Sequence, residues 1–186
     1  MKAHLSLHNP IVAAFLVVLW AVTPGFAQTA KLDDLFAELQ TDDAQEAERT
    51  EQEIWNEWSK SGSPAMDLLL ERGRQALAEG DPALAIEHLT ALVDHAPDFA
   101  EGWYARATAY YETGDFGPAI SDIGHVLTLN PRHFGALSGL GVIFEDLGRP
   151  EQAMEVYKAA LAINPHAPGL QDAVDRIESD LRGQDL

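Results

Sequence analysis

Apolar residues fall in distinct patterns along this chain. From Ile11 to Val22 the run is unbroken, without one polar side chain. Further on, apolar positions return every three or four residues, the spacing that lays them along one face of a helix. That spacing predicts helices over 67–79, 82–95, 100–113, 117–129, 134–147 and 150–163. Gly80, Gly114 and Gly148 close the first member of each pair, where a left-handed residue ends a helix. Pro97, Pro131 and Pro165 close the second, since proline lacks the donor that a continuing helix needs. Residues 169–182 carry Leu170, Ala173, Val174, Ile177 and Leu181 on one side and acidic or basic residues on the other. This is a one-sided final helix.

Upstream the pattern is weaker. Leu32, Leu35, Phe36 and Leu39 mark a short amphipathic helix, and Thr41-Asp42-Asp43 restarts a longer one to about Lys60. Ile54, Trp55 and Trp58 close that second helix. Trp55 and Trp58 fall 34 residues before Leu89 and Leu92, so 31–60 reads as a degenerate pair stacked ahead of the others. Its first helix is expected to attach loosely, with Ser61-Gly62-Ser63-Pro64 as the exit turn.

The glycines and prolines above keep a step of 34 residues, as do Ala85, Ala119 and Ala153, and Gly73, Ala107 and Gly141. Leu69, Trp103 and Leu137 hold a large slot in the same phase, and Leu89, Ile123 and Tyr157 another. At these residues the chain resembles the tetratricopeptide repeat family, with residues 100–133 matching best through Trp103, Ala107, Tyr110, Gly114, Phe116, Ala119 and Pro131. The other copies cover 66–99 and 134–167. They depart from the pattern at Ala76, Pro82 and Pro150. The resemblance implies an all-α, right-handed α-solenoid of three helix hairpins, with the degenerate N-terminal pair and a C-terminal capping helix. The small-residue columns would let paired helices approach closely, and Asp81 and Asp115 would cap the helices that follow them. One hairpin cannot bury its own apolar face, so stacking and end covers are obligatory.

The N-terminus reads as an address. Lys2 precedes the apolar run, and Pro24-Gly25-Phe26-Ala27 ends it with small residues at the positions a signal peptidase favours. Twelve apolar residues rise only about 18 Å as a helix, short of the roughly 30 Å hydrocarbon core. Residues 1–27 are thus expected to be a signal peptide cleaved after Ala27, followed by an N-terminal helical cap and linker (28–64), the repeats (65–167) and the capping helix and tail (168–186). The expected location is a bacterial periplasm, without stable membrane insertion after cleavage. Zero cysteines exclude a disulfide framework, a thiolate metal site and a lipid-modified cysteine. Thirty acidic residues against twelve lysines and arginines give a charge of −18, and loss of Lys2 with the leader makes it −19. Nucleic acid is a poor partner for such a surface, because phosphate binding needs clustered cations.

Function is expected on the concave groove that the first helix of each pair lines in this family. Its candidate peptide-binding residues are Arg74, Glu101, Tyr104, Thr108, Tyr111, Ser138, Val142 and Glu145. Tyr104 and Tyr111 flank Thr108 as an amphipathic platform, and Gly135, Ser138 and Gly139 leave room beside it. The carboxylate clamp of cytosolic co-chaperones uses Lys, Asn and Arg at slots that here hold Leu70, Arg74, Ala105, Thr108, Gly135 and Gly139. Acidic groove residues outnumber Arg74, so the expected ligand is a neutral or basic segment of an envelope protein. The alternative is a self-associating structural component of an envelope assembly, with the Trp55/Trp58 helix or residues 31–40 docking onto a neighbouring copy. No catalytic, cofactor or metal motif is present in the sequence, and none of these roles is expected. The histidines lie scattered with respect to the repeat phase, and His133 and His166 are expected in or beside inter-repeat turns, serving turn chemistry or exposed to solvent.

Overall fold

The computed structural model describes residues 24–184, with side chains from Ala30 to Gly183. The expected leader lies almost wholly outside the described residues. Helices α1 (Pro24–Glu38) and α2 (Ala44–Trp58) precede three hairpins and a last helix. The hairpins are α3 (Pro64–Ala78) with α4 (Pro82–His95), α5 (Ala100–Glu112) with α6 (Phe116–Leu129), and α7 (Phe134–Asp146) with α8 (Pro150–Ile163). Helix α9 (Leu170–Gln184) closes the stack, and there is no strand among the described residues.

The repeat columns act as their chemistry requires. Gly80, Gly114 and Gly148 adopt φ of +78°, +78° and +69°, the left-handed region that ends each first helix. A Cβ at Gly73 would lie 2.5 Å from Leu89 Cγ, and one at Gly141 would lie 2.2 Å from the Tyr157 ring. Close helix approach is therefore obligatory at both. Asp81 caps α4 through the Leu84 amide at 3.0 Å. Asp115 does not cap α6: its carboxylate instead accepts from the Thr113 hydroxyl at 2.8 Å. Val174 and Ile177 of α9 bury against Ala153 and Tyr157 of α8, which makes the one-sided final helix the C-terminal cover.

The N-terminal hairpin departs from expectation. Helices α1 and α2 pack on each other but do not stack ahead of α3, whose Leu68 stays 45% exposed. They lie instead across the turns that begin and end the third repeat. Leu35, Phe36, Leu39, Ile54 and Trp58 form one core with Phe134, against which Ile163 also packs. Four bonds tie the hairpin down. Asn164 donates to Glu51 at 2.8 Å, and Gln40 to the Ile163 carbonyl at 2.8 Å. His166 Nε2 stands 2.6 Å from the Thr41 carbonyl oxygen, and Arg132 pairs with Asp33 at 2.6 Å. The first helix is thus firmly held, with Leu39 fully buried. The 34-residue offset of Trp55 and Trp58 misleads because their segment lacks the small-residue columns. Rings of that size need a hollow rather than a close-packed face, and Gly135 supplies one.

Candidate functional site

The first helices α3, α5 and α7 line the concave face, and the two edges of that face differ. Along the edge made by the N-termini of α5 and α7, the chain fills its own groove. Trp55 lies over Gly135, with its ring centroid 5.7 Å from Tyr104 and 5.4 Å from His133. Trp58 stacks on His133 at 4.3 Å with an interplanar angle of 17°. His133 is fully buried at the N-terminus of α7. Its Nδ1 accepts the Ala136 amide at 3.0 Å, so Nε2 carries the proton and donates it to Glu101 across 3.1 Å. The other Glu101 oxygen accepts from Arg74. A carboxylate 1% exposed is thereby satisfied on both oxygens. Burial pushes the Tyr104 phenol up to about 12, with the Glu101 charge adding to the effect.

The opposite edge stays open. A pocket of about 230 Å³ lies between α5 and α7, lined by Tyr104, Thr108, Tyr111, Gly139, Val142 and Ile143 among others. Val142 is 38% exposed there. The Tyr111 hydroxyl donates to Asp146 at 2.9 Å, which raises the phenol above its ordinary value. Glu112 also lines this pocket.

Of the eight expected groove residues, Tyr104, Thr108, Tyr111 and Val142 come together in the pocket. Arg74 and Glu101 pair with each other at the filled edge, and neither lines the open pocket. Ser138, one turn before Val142, turns its hydroxyl back to the Phe134 carbonyl at 2.8 Å. Glu145 faces the other way, accepting from Tyr157 at 2.9 Å and Arg176 at 2.6 Å, and so clamps α7 to α8 and α9. Burial and that hydrogen bond push the Tyr157 phenol well above its ordinary range. The room expected at Gly135 is taken by Trp55, and His133 caps α7 from its inter-repeat turn but is buried rather than exposed to solvent. Trp55 and Trp58 pack within their own chain, on Gly135 and His133. Among the described residues no group of three or more His, Asp or Glu is placed to hold a metal ion.

Three hairpins with glycine stops, small-residue contacts and a capping helix now stand beside a matching profile. Residues 70–124 and 104–168 match the tetratricopeptide repeat family. The chain belongs to this family. A TPR repeat-containing protein of Rhizobium etli is 34% identical over 154 residues, spanning 82% of this chain and 76% of that one. The first TPR of Spaghetti (RPAP3), solved bound to an HSP90 peptide, superposes with a TM-score of 0.61 at 26% identity, covering 64% of this chain and 95% of that one. MamA superposes over 88% of this chain and 87% of its own with a TM-score of 0.60 and 21% identity, a likeness of fold. Tetratricopeptide repeats are protein–protein interaction modules, typically noncatalytic, and their solved relatives include peptide complexes. In this tetratricopeptide repeat protein, Leu70 and Ala105 are buried and Arg74 is paired, so the slots of a carboxylate clamp offer no free cation.

Proposed function

We propose that this protein is an exported interaction module that holds a peptide segment of an envelope protein in the open part of its concave groove. The observation that carries the reading is the pocket between Tyr104, Tyr111 and Val142, an apolar hollow on a rigid concave scaffold. Export rests on the sequence of residues 1–27. Cleavage after Ala27 would trim only the first four residues of α1 and leave Leu32, Leu35, Phe36 and Leu39 in place. The acidic surface would speed encounters with cationic partners.

The test is photocrosslinking in intact cells from a photoreactive residue at position 111, where the ring borders the pocket. The expected result is one dominant adduct with an envelope protein, lost when Gly139→Leu fills the hollow. An unchanged adduct in that variant would overturn the groove assignment. N-terminal sequencing of the mature protein from a periplasmic fraction tests the address, and an intact Met1 in the cytosol would overturn it.

A further inference from the structure

The open stretch of groove carries two features side by side, and together they define a ligand more narrowly. Its walls are apolar: the Tyr104 and Tyr111 rings, Val142, Ile143 and the backbone at Gly139. The edge beyond is negative. Helices α5 and α7 both end there, at Glu112 and Asp146, so the carbonyl ends of two helices add partial negative charge to two carboxylates. Asp146 is held by the Tyr111 hydroxyl at 2.9 Å, while Glu112 is exposed and lines the pocket itself. Arg149, on the turn after α7, stands nearby in sequence but is not among the lining residues. The opposite edge is closed by Trp55 over Gly135. The open side of the hollow is therefore the acidic one.

Resting on the peptide-binding reading, we infer that the ligand is a peptide segment with a paired signature. One apolar side chain enters the hollow between Tyr104, Tyr111 and Val142, and a lysine or arginine within one helical turn of it meets Glu112. The hollow supplies burial, which is indifferent to sequence beyond size and shape. The carboxylate and the two helix ends supply selection, favouring a cation and opposing an acidic segment at the same place. The open groove thus recognises the reverse charge of a carboxylate clamp's ligand.

The probe is a display library of short random peptides panned on the protein lacking residues 1–27, followed by binding measurements on synthetic peptides. Two variants separate the possibilities. Gly139→Leu has open space at its Cβ and fills the hollow from a helical position, whereas Glu112→Lys alters only an exposed charge. The expected result is enrichment of an apolar residue followed or preceded by lysine or arginine. Affinity should fall about tenfold or more in Gly139→Leu, the scale of losing one anchoring side chain. In Glu112→Lys the same peptides should weaken, and versions carrying glutamate for the basic residue should bind better than they do to the unaltered protein. Enriched peptides that depend on the hollow but show no basic preference and no response to Glu112→Lys would overturn this inference and leave the groove reading standing. Peptides indifferent to Gly139→Leu, or no enrichment above a bare-surface control, would overturn both.

Discussion

Trp55 rests on Gly135 so closely that a Cβ built at the glycine would lie 2.4 Å from the indole Cη2. The pair locks the N-terminal hairpin to the third repeat. Gly135→Ala should therefore lift the ring and loosen α2 while the three hairpins stay folded. The expected loss is about 1–3 kcal/mol, the scale of an overpacked contact. Tryptophan emission should shift to the red, and limited proteolysis should cut first between residues 40 and 60. Unchanged emission and an unchanged urea midpoint would count against this packing.

The buried Glu101–His133 pair, with Arg74 reaching it from the surface, makes a second prediction. Glu101→Ala strands the His133 Nε2–H in an apolar surround and removes the Arg74 partner. A loss of about 1–3 kcal/mol is expected from the unsatisfied donor. Glu101→Gln keeps an oxygen facing His133 and should lose less. Equal losses in chemical denaturation of the two variants would show that the hydrogen bond contributes nothing.

Glycines that look alike in sequence should respond in opposite ways. Gly124 lies within α6 with nothing near its Cβ position, so Gly124→Ala should stabilise the protein by about 1 kcal/mol through helix propensity. Gly114 also has open space but holds φ at +78°, and Gly114→Ala should cost about 1–2 kcal/mol. Thermal unfolding of the two single variants checks the contrast. A fall in midpoint for Gly124→Ala would refute the first half.

Acid should loosen the N-terminal hairpin. Hydrogen bonds from Lys31 and Lys60, each at 2.6 Å, hold the Glu57 carboxyl below its ordinary 4.5. A depressed carboxyl contributes stability that is complete above the ordinary value and is lost as pH falls through the lower folded one. Lys31 sits on α1 and Glu57 on α2, so the loss falls on their junction. Emission of Trp55 and Trp58 should change as pH falls below 4.5, and Glu57→Gln should flatten that change. The same acid transition in both proteins would remove Glu57 from the explanation.

The solenoid was legible in the residues because its rules are local and repeated. Gly114 ends a helix wherever the chain turns, and Pro131 stops one whatever lies across from it. Each appears three times in phase, which lets weaker columns such as Ala76 and Pro82 be read by position. The groove was half legible: Thr108, Tyr111 and Val142 fall on the concave face by phase alone. What covers Tyr104 was not. Trp55 lies almost fifty residues upstream, and nothing in its own segment states that its ring fills the hollow at Gly135 rather than the slot Leu89 takes in its own pair. His133 stands at its expected turn and caps α7 there, but its burial was not legible, since a turn residue looks exposed until Trp58 is laid upon it. Glu145 fails differently: its phase places it on the groove, but Arg176 of the capping helix draws it away.

The bonds from Thr41 to His166 and from Glu51 to Asn164 have a consequence for how the molecule comes apart. Stacked repeats ordinarily behave as a one-dimensional array, able to fray from either end while the middle persists. Here residues more than a hundred positions apart are tied together. The turn that ends the third repeat cannot open without releasing α1 and α2, so these two helices and that repeat should come apart together rather than in stages. The same strap holds the filled edge of the concave face in place at Gly135, so that edge need not be ordered anew when a partner docks.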